Sequence, residues 1–372
     1  NSNATAENPK WDALIKFAES NGKYIKLLQH MYTIYKTIYT SAIIQGATSN
    51  DTYYDPYDNK TVYPDAAVSG FKADSPFTFV HDGHNSINAV VYVNCVKNNA
   101  PQYMQMQDFG GFSIDANNVA DCGLYLDYIN SMMVKNLVIG NAKKIEIGIY
   151  FVWFAALENI RTISQYSDYG VRWWGEGSAC TTTTINLLHD VVVANLPEHI
   201  CFSIEVPQAA IVIDNIAADG HNLTVAPKYF FHAFSGSVEL RNPHWEYVAT
   251  ETEQLESAIF TEYAKIFISN MVMHGTNKSY KTLFTTYAGA ISGNITLTEA
   301  NVETLIKIIS DPKNPETYIY SQFNINTPGE FQNKIVFNSD AKITYNIWLN
   351  TLRGIYRGEG INQTSIAPLT KL

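Results

Sequence analysis

Four acidic residues have the type and spacing of catalytic carboxylate pairs. Asp219 and Glu246 are about one period apart in a repeat that runs through the middle of the sequence, and so are Glu176 and Glu205. Hydrolysis of a glycosidic bond uses two carboxyl groups, one to protonate the leaving oxygen and one to attack the anomeric carbon or activate water. Each pair is therefore a candidate catalytic pair. Because acids on the outside of a β-structure are often only solvated surface, a structural role stays open for both.

Aromatic, histidine and arginine residues near these acids are candidates for substrate binding. Those near the first pair are His221, His244 and His274, and those near the second pair are Trp174, Arg172, Tyr125 and Tyr150, with Arg161 on a further column. Aromatic rings beside an acid are suited to sugars, because the apolar face of a pyranose stacks on them. A lyase would instead need a basic residue near an acidic sugar, and only Arg161 and Arg172 stand on the mapped columns.

A repeated pattern between Gly123 and His274 must position these residues. It begins six times, in steps of 22 to 29 residues, at Gly123, Gly148, Gly170, His199, Lys228 and Ser257. Apolar residues follow one position after each start. Three positions after each start the sequence has Leu126, Phe151, Trp173, Phe202, Phe231 and Phe260. Alternate residues of a strand share a face, so these two columns predict one buried face per repeat.

A second feature of the repeat is a polar residue before another apolar strand. These residues are Asn136, Asn159, Asp190, Asn215, Asn242 and Asn270. Asn suits tight turns, and stacked Asn side chains can hydrogen-bond from layer to layer. A unit of this length buries its inner face only when copies stack, which predicts a parallel β-helix. The alternative, a β-sandwich, leaves the shared period unexplained. Stacked coils lie about 4.7–4.9 Å apart, which would bring each acid pair together.

Composition excludes several other classes of protein. The 372 residues are 46% hydrophobic and 13% aromatic, so the chain can bury a large core. A net charge of -10 argues against nucleic acid as a partner. No apolar run is long enough for membrane insertion, and no secretory signal opens the sequence. The four cysteines follow no metal-ligand spacing, and we predict isolated thiols with no metal or cofactor.

The start of the sequence resembles a known family. A predicted amphipathic helix over Trp11–Ser20 contains Asp12-Ala13-Leu14, and Gly22-Lys23, Tyr32-Thr33-Ile34 and Ile43-Ile44-Gln45-Gly46 follow it. This succession resembles the first coils of the pectin-lyase-like right-handed β-helix of phage tailspikes, in which the helix covers the open end of the solenoid. Ala218-Asp219 and Trp245-Glu246 also resemble a recurring tailspike pattern. The likeness covers roughly residues 10–295, and the head-binding module usual in tailspikes is not visible.

The resemblance implies a function. Tailspikes of this class are homotrimers on the virion that act outside the cell, at the surface of the host bacterium, together with other phage tail proteins. They bind and usually cleave capsule, exopolysaccharide or O-antigen, so endoglycosidic hydrolysis is the implied reaction. A polysaccharide lyase of the same fold and a non-catalytic receptor-binding fibre are the alternatives.

The predicted organisation is all-β, with three segments. Residues 1–9 are expected to be a linker. Residues 10–296 are expected to form the right-handed parallel β-helix (solenoid) with its short N-terminal capping helix. Residues 297–372 are expected to form a C-terminal β-rich cap or trimerisation region, with a helix over Thr298–Ile309 and strands outside the register of the repeat.

Overall fold

The computed structural model describes residues 4–28, 30–46, 54–55, 60–61, 69–81, 86–94, 96–97, 100–153, 155–175, 179–253, 255–276, 280–297, 302–309, 311, 313, 316–326, 333–338, 342–352, 354–361 and 369–372. These residues form two compact units, Asn1–Ala194 (the N-terminal unit) and Asn195–Leu372 (the C-terminal unit).

The N-terminal unit begins with the one helix of the described residues, α1 (Ala4–Asn21). Its inner side buries Ile15 and Ala18. Trp11 packs edge-on against Phe71, a fully buried residue of the first coils, with ring centroids 5.4 Å apart. Gly22 follows the helix with φ at 58°, a left-handed conformation that favours glycine and ends helices. The capping helix is confirmed, and it begins earlier than the sequence pattern predicts.

Most strands of the N-terminal unit belong to two sheets, in which nearly all pairings are parallel. In chain order they are β1 (Ile25–Lys26), β2 (Met31–Lys36), β3 (Ile38–Thr40), β4 (Ile44–Gln45), β5 (Tyr54–Asp55), β6 (Lys60–Thr61), β7 (Gly70–Thr78), β8 (Ala89–Asn94), β9 (Val96–Lys97), β10 (Ala100–Asp115), β11 (Cys122–Asp127), β12 (Ile129–Gly140), β13 (Ile145–Tyr150), β14 (Ala155–Ser164), β15 (Tyr169–Trp174) and β16 (Ala179–Val192). Strands β3, β8, β11, β13 and β15 form its short-strand sheet. β5 and β6 pair as a separate antiparallel hairpin. The others form its long-strand sheet, in which only β9 pairs antiparallel, with β10.

The C-terminal unit repeats this arrangement. Its strands are β17 (Ile200–Glu205), β18 (Gln208–Val225), β19 (Tyr229–Ala233), β20 (Ser237–Arg241), β21 (His244–Glu253), β22 (Leu255–Thr261), β23 (Lys265–Thr276), β24 (Tyr280–Thr286), β25 (Gly289–Leu297), β26 (Thr304–Ile309), β27 (Glu316–Asn326), β28 (Asn333–Asn338), β29 (Lys342–Thr351), β30 (Gly354–Ile361) and β31 (Thr370–Lys371). Strands β17, β19, β22, β24, β26 and β28 form its short-strand sheet. The others form its long-strand sheet, parallel from β18 to β29 and closed by antiparallel β30 and β31.

The inner columns of both units are continuous and buried. In the N-terminal unit the register stacks Val91, Leu124, Ile147 and Val171, and beside them Val93, Leu126, Ile149 and Trp173. In the C-terminal unit it stacks Phe202, Phe231, Ile259, Phe284 and Ile306. All of these side chains are almost fully buried. Stacked coils whose parallel strands enclose one continuous buried core define a parallel β-helix. Crossovers between parallel strands are right-handed with few exceptions. The predicted fold class, an all-β right-handed parallel β-helix, is confirmed.

Two of the aromatic residues predicted to face inward three positions after a repeat start, Phe151 and Phe260, do not. Ile149, not Phe151, pairs with Trp173, because the true start of that repeat lies two residues before Gly148. Phe151 follows the end of β13 with φ at 53° and is half-buried. Similarly Ile259 pairs with Phe231, which places Phe260 on the opposite face. Alternation gives the period of a strand, and a one-residue slip exchanges its faces.

The Asn corners are confirmed at five of the six predicted positions. Asn136, Asn159, Asn215, Asn242 and Asn270 all have positive φ, between 50° and 56°. Asn159 donates its side-chain amide to Asn136 at 2.8 Å, and Asn270 donates to Asn242 at 3.2 Å. The conformation suits Asn, whose short polar side chain bonds locally.

The sixth predicted corner, Asp190, is wrong. The positive φ of that coil occurs at Leu187, and Asp190 pairs with Thr162 inside the sheet. There the buried carboxylate accepts hydrogen bonds from the hydroxyl groups of Thr162 and Ser164.

The parallel pairing continues past residue 297, where the expectation was a cap. Thr304–Ile309 is the strand β26, so the helix predicted over Thr298–Ile309 is wrong. β27 and β29 pair in continuous parallel register, so the strands expected outside the register lie within it. Asn324 and Asn350 extend the ladder of Asn side chains from Asn294. A trimerisation role for residues 297–372 stays a prediction.

Candidate active site

Asp219 and Glu246 stand side by side on the long-strand sheet of the C-terminal unit. β18 and β21 are parallel, and their register pairs Asp219 with Glu246. The preceding residues, Ala218 and Trp245, are paired in the same register and buried. Successive side chains of a strand point to opposite faces, so both acids lie on the outer face. The column predicted from the sequence is therefore the column that the fold builds.

The spacing of this acid pair follows from the sheet. Neighbouring strands lie about 4.7–4.9 Å apart. Carboxyl groups about 5–5.5 Å apart are typical of retaining glycosidases, whereas inverting enzymes keep about 6.5–9.5 Å. Adjacent positions in register are thus suited to the shorter separation.

His244 is a basic side chain close to Glu246. Its Nε2 lies 3.9 Å from a carboxylate oxygen of Glu246, and the two side chains are 43% and 37% exposed. That distance is too long for a hydrogen bond, and the contact is an ion pair only when the imidazole is protonated. The exposure leaves both groups open to a ligand. The backbone of His274 pairs with Glu246 as predicted, and the side chains of His274 and His221 lie outside the described residues.

A buried tryptophan holds the strand behind the acids in place. Trp245 is 1% exposed, and its ring centroid lies 5.0 Å from that of Phe230 and 6.1 Å from that of Tyr280. Close packing of large rings restricts the backbone that carries the neighbouring residue. Glu246 therefore projects from a well-supported position.

The second predicted pair is only partly described. Glu176 lies outside the described residues, so its pairing with Glu205 stays a prediction. Glu205 is the half-buried last residue of β17 and accepts a hydrogen bond of 2.8 Å from the Ser203 hydroxyl. Ser203 also lies 2.9 Å from Nδ1 of His232, whose Nε2 is 3.4 Å from Glu262.

Glu262 is an acid that the sequence columns missed. Ile204, Ala233 and Thr261 are in register, so Glu205 and Glu262 occupy equivalent positions two strands apart. A repeat start at Ser257 puts Tyr263 at the position equivalent to Glu205, whereas the register shows that this repeat starts one residue earlier. The β-branched pair Ile259 and Thr261, two residues apart, is the signal that could have corrected it.

The predicted sugar-binding residues of the N-terminal unit come together on the outer face of its short-strand sheet. Ring centroids of Trp174 lie 5.7 Å from Tyr125 and 5.8 Å from Tyr150. The Arg172 guanidinium carbon lies 4.9 Å from the Trp174 ring and 4.8 Å from the Tyr169 ring. A repeat start at Gly148 would put Tyr150 in one column with Arg172, but the register pairs Tyr150 with Trp174 and Gly148 with Arg172.

Gly148 explains why these rings meet. It occupies the position between Tyr125 and Arg172 in the register. A side chain there would come within 2.7 Å of the Tyr125 ring and 3.1 Å of the Trp174 ring. Because Gly148 has no side chain, the two rings fill the space that a side chain would occupy. Tyr125 is fully buried as a result, so it supports the surface and does not present one.

Three further aromatic residues extend this surface. Tyr128 stacks on Phe151 at 4.8 Å, and Trp153 meets Phe151 edge-on at 4.8 Å. Tyr150 joins them to Trp174. We call the half-buried residues Tyr128, Tyr150, Phe151, Trp153 and Trp174 the aromatic strip. The repeat pattern assigns Phe151 to the core and therefore does not predict the strip, although the run Tyr150-Phe151-Val152-Trp153 is a signal for it.

Arg161 is separate from the aromatic strip. It lies on β14 of the long-strand sheet, half-buried, in register with Val138 and His189. Arg172 lies on β15 of the short-strand sheet. The two arginines that could have served a lyase therefore belong to different sheets.

The two described thiols lie away from solvent. Cys122 and Cys201 are buried and form no disulfide. Burial raises the pKa of the Cys122 thiol well above its usual range, and the acids Glu146 and Asp121 add to the effect. No helix among the described residues is long and apolar enough to cross a membrane.

Comparisons with known proteins add little beyond the fold. No protein-family profile matches the sequence, and no curated protein matches it. Among solved structures, the hyperthermoactive exopolygalacturonase of Thermotoga maritima gives a TM-score of 0.43 at 8% identity, over 97% of this chain and 90% of that one. Two structures of PfbA, a surface adhesin of Streptococcus pneumoniae, give TM-scores of 0.39 and 0.40 at 10% identity. They match 100% and 92% of this chain, and 95% and 91% of theirs.

Proposed function

We propose that this protein binds bacterial surface polysaccharide and hydrolyses its glycosidic bonds with Asp219 and Glu246. The observation that carries the proposal is the register that pairs these two acids on the outer face of one sheet. A purely structural role does not account for this pairing, because two carboxylates on neighbouring strands repel each other and lower stability. A catalytic pair does need it, since both groups must reach the same bond.

The spacing favours a retaining reaction in this proposal. One carboxyl group protonates the glycosidic oxygen while the other attacks the anomeric carbon, so that the bond to the leaving sugar breaks and a glycosyl-enzyme ester forms. Water then attacks the anomeric carbon, the first group accepts a proton from the water, and the bond between that carbon and the second carboxylate breaks, which releases the sugar. His244 lies close enough to Glu246 to contact a bound sugar hydroxyl.

The resemblance to phage tailspikes supports a more specific proposal. On that basis the substrate is the capsule, exopolysaccharide or O-antigen of a host bacterium. The chain would act as a homotrimer on the virion, with other phage tail proteins as partners. Sedimentation equilibrium of the purified chain tests the trimer, and a monomer at micromolar concentration would contradict it.

A second candidate function is adhesion without cleavage. The aromatic strip favours it, because five contiguous aromatic side chains can stack on sugar rings without any carboxylate pair. A receptor-binding fibre would retain polysaccharide and leave its chain length unchanged.

The decisive experiment measures new reducing ends and viscosity on a panel of host polysaccharides. Glu246→Gln and Asp219→Asn should each lower the rate at least about 100-fold, the usual contribution of a general acid or base. Glu239→Gln is the matched control, since Glu239 lies on the neighbouring strand β20 and pairs with Arg241 at 2.8 Å. It should retain full activity.

Three results would contradict the proposal in different ways. Unchanged cleavage in both variants would remove Asp219 and Glu246 from the reaction and turn attention to Glu205. A product absorbing in the near ultraviolet would identify a lyase. Polysaccharide retained by the wild-type chain with no change in length would identify the adhesin.

A further inference from the structure

The outer face of the short-strand sheet in the C-terminal unit carries a second group of polar and aromatic side chains. It consists of Tyr229, His232, Phe260, Glu262 and Tyr287, and we call it the acidic face. None of these residues takes part in the Asp219–Glu246 pair, which belongs to the long-strand sheet.

The aromatic part of the acidic face is a continuous stack. Phe260 lies parallel to the His232 imidazole, with centroids 5.4 Å apart and an angle of 7°, and Tyr229 stacks on Phe260 at 5.4 Å. Tyr287 meets Phe260 edge-on at 5.5 Å. Tyr229, Phe260 and Tyr287 are half-buried, so part of each ring faces solvent. This is the arrangement of a platform for a flat, partly apolar ligand.

The polar part is a chain of groups that ends in two carboxylates. The Ser203 hydroxyl bonds Glu205 at 2.8 Å and lies 2.9 Å from Nδ1 of His232, so the imidazole and Glu205 are held in fixed positions. On the other side of the ring, Nε2 is 3.4 Å from Glu262, whose side chain is 24% exposed. Glu262 therefore faces both the imidazole and the solvent.

Two nearly buried polar atoms on this face lack a hydrogen bond to any described residue. Nε2 of His232 is not aligned with Glu262 for a hydrogen bond, and His232 is 9% exposed. Oγ1 of Thr285 has no hydrogen-bond partner either, and Thr285 is 7% exposed and in register with Phe260. Buried polar groups without partners are rare in native proteins. Their convergence beside the rings indicates a place where a ligand supplies the missing bonds.

The electrostatic field of the face is negative. Burial, then a hydrogen bond to Asp311 and the charges of Asp311 and Glu262, raises the pKa of Tyr263 to about 12. The pKa of Tyr287 is raised by burial and by the same two acids. Lys307, the described cation of this column, pairs with Thr285 and stands two strands beyond Phe260. It lies roughly 9–10 Å from Phe260, near the Debye length at physiological salt, so it weakens the negative field at Thr285 and has less effect at Phe260.

We propose that the acidic face binds a sugar carrying a free ammonium group. The sugar ring stacks on Phe260 and Tyr229, and the Glu262 carboxylate accepts a charge-assisted hydrogen bond from the ammonium group. The exposed rings add an attraction for the same cation. A sugar that carries a carboxylate is repelled by Glu205, Glu262 and Asp311. The site is independent of hydrolysis and stands or falls separately from the Asp219–Glu246 pair.

The test is calorimetric titration with three hexasaccharides on the full chain carrying Glu246→Gln, which prevents cleavage by the proposed pair. The probes are a glucosamine hexamer, its fully N-acetylated form and a galacturonic acid hexamer. The glucosamine hexamer should bind at least about tenfold more tightly than the N-acetylated form, as a charge-assisted hydrogen bond implies, and the galacturonic acid hexamer should not bind here. Equal affinity for the first two probes would overturn the proposal.

Variants locate the binding. Adding Glu262→Gln should remove the preference for the ammonium form, and Phe260→Leu, which keeps an apolar side chain of similar size, should weaken binding of both hexosamine probes. Glu198→Gln is the matched control, since Glu198 is an exposed acid of the same unit that pairs with Lys228, and it should change nothing. Selective binding that survives Glu262→Gln would place the ligand elsewhere and overturn the assignment.

Discussion

The two units build the same sheets and use their outer faces differently. The short-strand sheet of the N-terminal unit presents aromatic rings and one arginine, and its acids are turned inward or covered. Glu146 and Asp127 are both fully buried, and Asp127 accepts hydrogen bonds from Tyr92 and Asn94. The corresponding sheet of the C-terminal unit presents Glu205 and Glu262 at its outer face. The outward side chains do not determine how a coil winds, so the same fold carries an aromatic surface in one unit and a charged surface in the other.

The position of accessible acids separates polysaccharide retention by the aromatic strip from hydrolysis by the Asp219–Glu246 pair, which lies on the long-strand sheet of the C-terminal unit. Proton transfer needs a carboxyl group that a substrate can reach, and exposed acids meet that need whereas covered acids do not. Stacking needs only flat apolar area. We therefore expect changes in the N-terminal unit to alter stability and polysaccharide retention, and changes around the Asp219–Glu246 pair of the C-terminal unit to alter hydrolysis. Changes on the acidic face should alter only ligand binding.

Replacing the buried tryptophan of each unit is the strongest test of this division. Trp173→Ala and Trp245→Ala should each lower the free energy of unfolding by about 3–5 kcal/mol, because a large side chain leaves a cavity. Only Trp245→Ala should also lower the rate of hydrolysis per folded molecule, since Trp245 directly precedes Glu246. Denaturant unfolding and reducing-end assays measure the two effects. Trp348→Ala, at a position that is 36% exposed, is the control and should cost far less. Equal loss of specific activity in both core variants would break the division.

The buried acid of the N-terminal unit gives the next largest effect. Burial raises the pKa of Glu146 well above its usual value, and the charges of Asp190 and Asp115 raise it further. Hydrogen bonds from Ala142 and Ser167 act in the opposite direction and lower the pKa. The folded protein keeps the proton that the unfolded chain releases above its ordinary pKa. Stability is therefore complete below that pKa and falls as pH rises toward the folded pKa, by at most about 1.4 kcal/mol per pH unit.

Glu146→Gln should flatten this dependence and leave hydrolysis unchanged. Free energies of unfolding measured between pH 4 and pH 8 test this, and the variant should become more stable relative to the wild type as pH rises. The opposite trend, a variant that loses ground with rising pH, would mean that Glu146 is ionised in the folded state.

The smallest predicted effect concerns the aromatic strip. Trp174→Ala should weaken polysaccharide retention by about 0.5–1.5 kcal/mol, the value of one stacking contact, without changing the cleavage products. Affinity electrophoresis in gels containing the polysaccharide measures the retention. Tyr318→Ala removes an aromatic ring that is 51% exposed in the C-terminal unit and should leave migration unchanged. A change in products rather than retention would assign the strip to the reaction.

Sequence periodicity predicted those features that depend on a pattern repeated in every coil. Asp219 and Glu246 each stand four residues after an Asn corner, at Asn215 and Asn242. Equal spacing from equivalent corners gives the pairing that the sheet shows. Prediction failed where the reference residue was wrong. Repeat starts at Gly148 and Ser257, which the spacing predicts, misplace Phe151, Phe260 and Glu262 by one or two residues.

The sequence alone determined that the chain winds into stacked parallel coils and that Asp219 and Glu246 share an outer column. Both conclusions rest on spacing, and a β-helix converts spacing along the chain directly into position in space. Only the tertiary structure decided that Glu262 faces His232 and that Phe151 lies on the surface. It also decided that the coils continue beyond residue 297. These outcomes depend on which residue begins each strand, and because side chains alternate, an error of one residue moves a group from the core to the solvent.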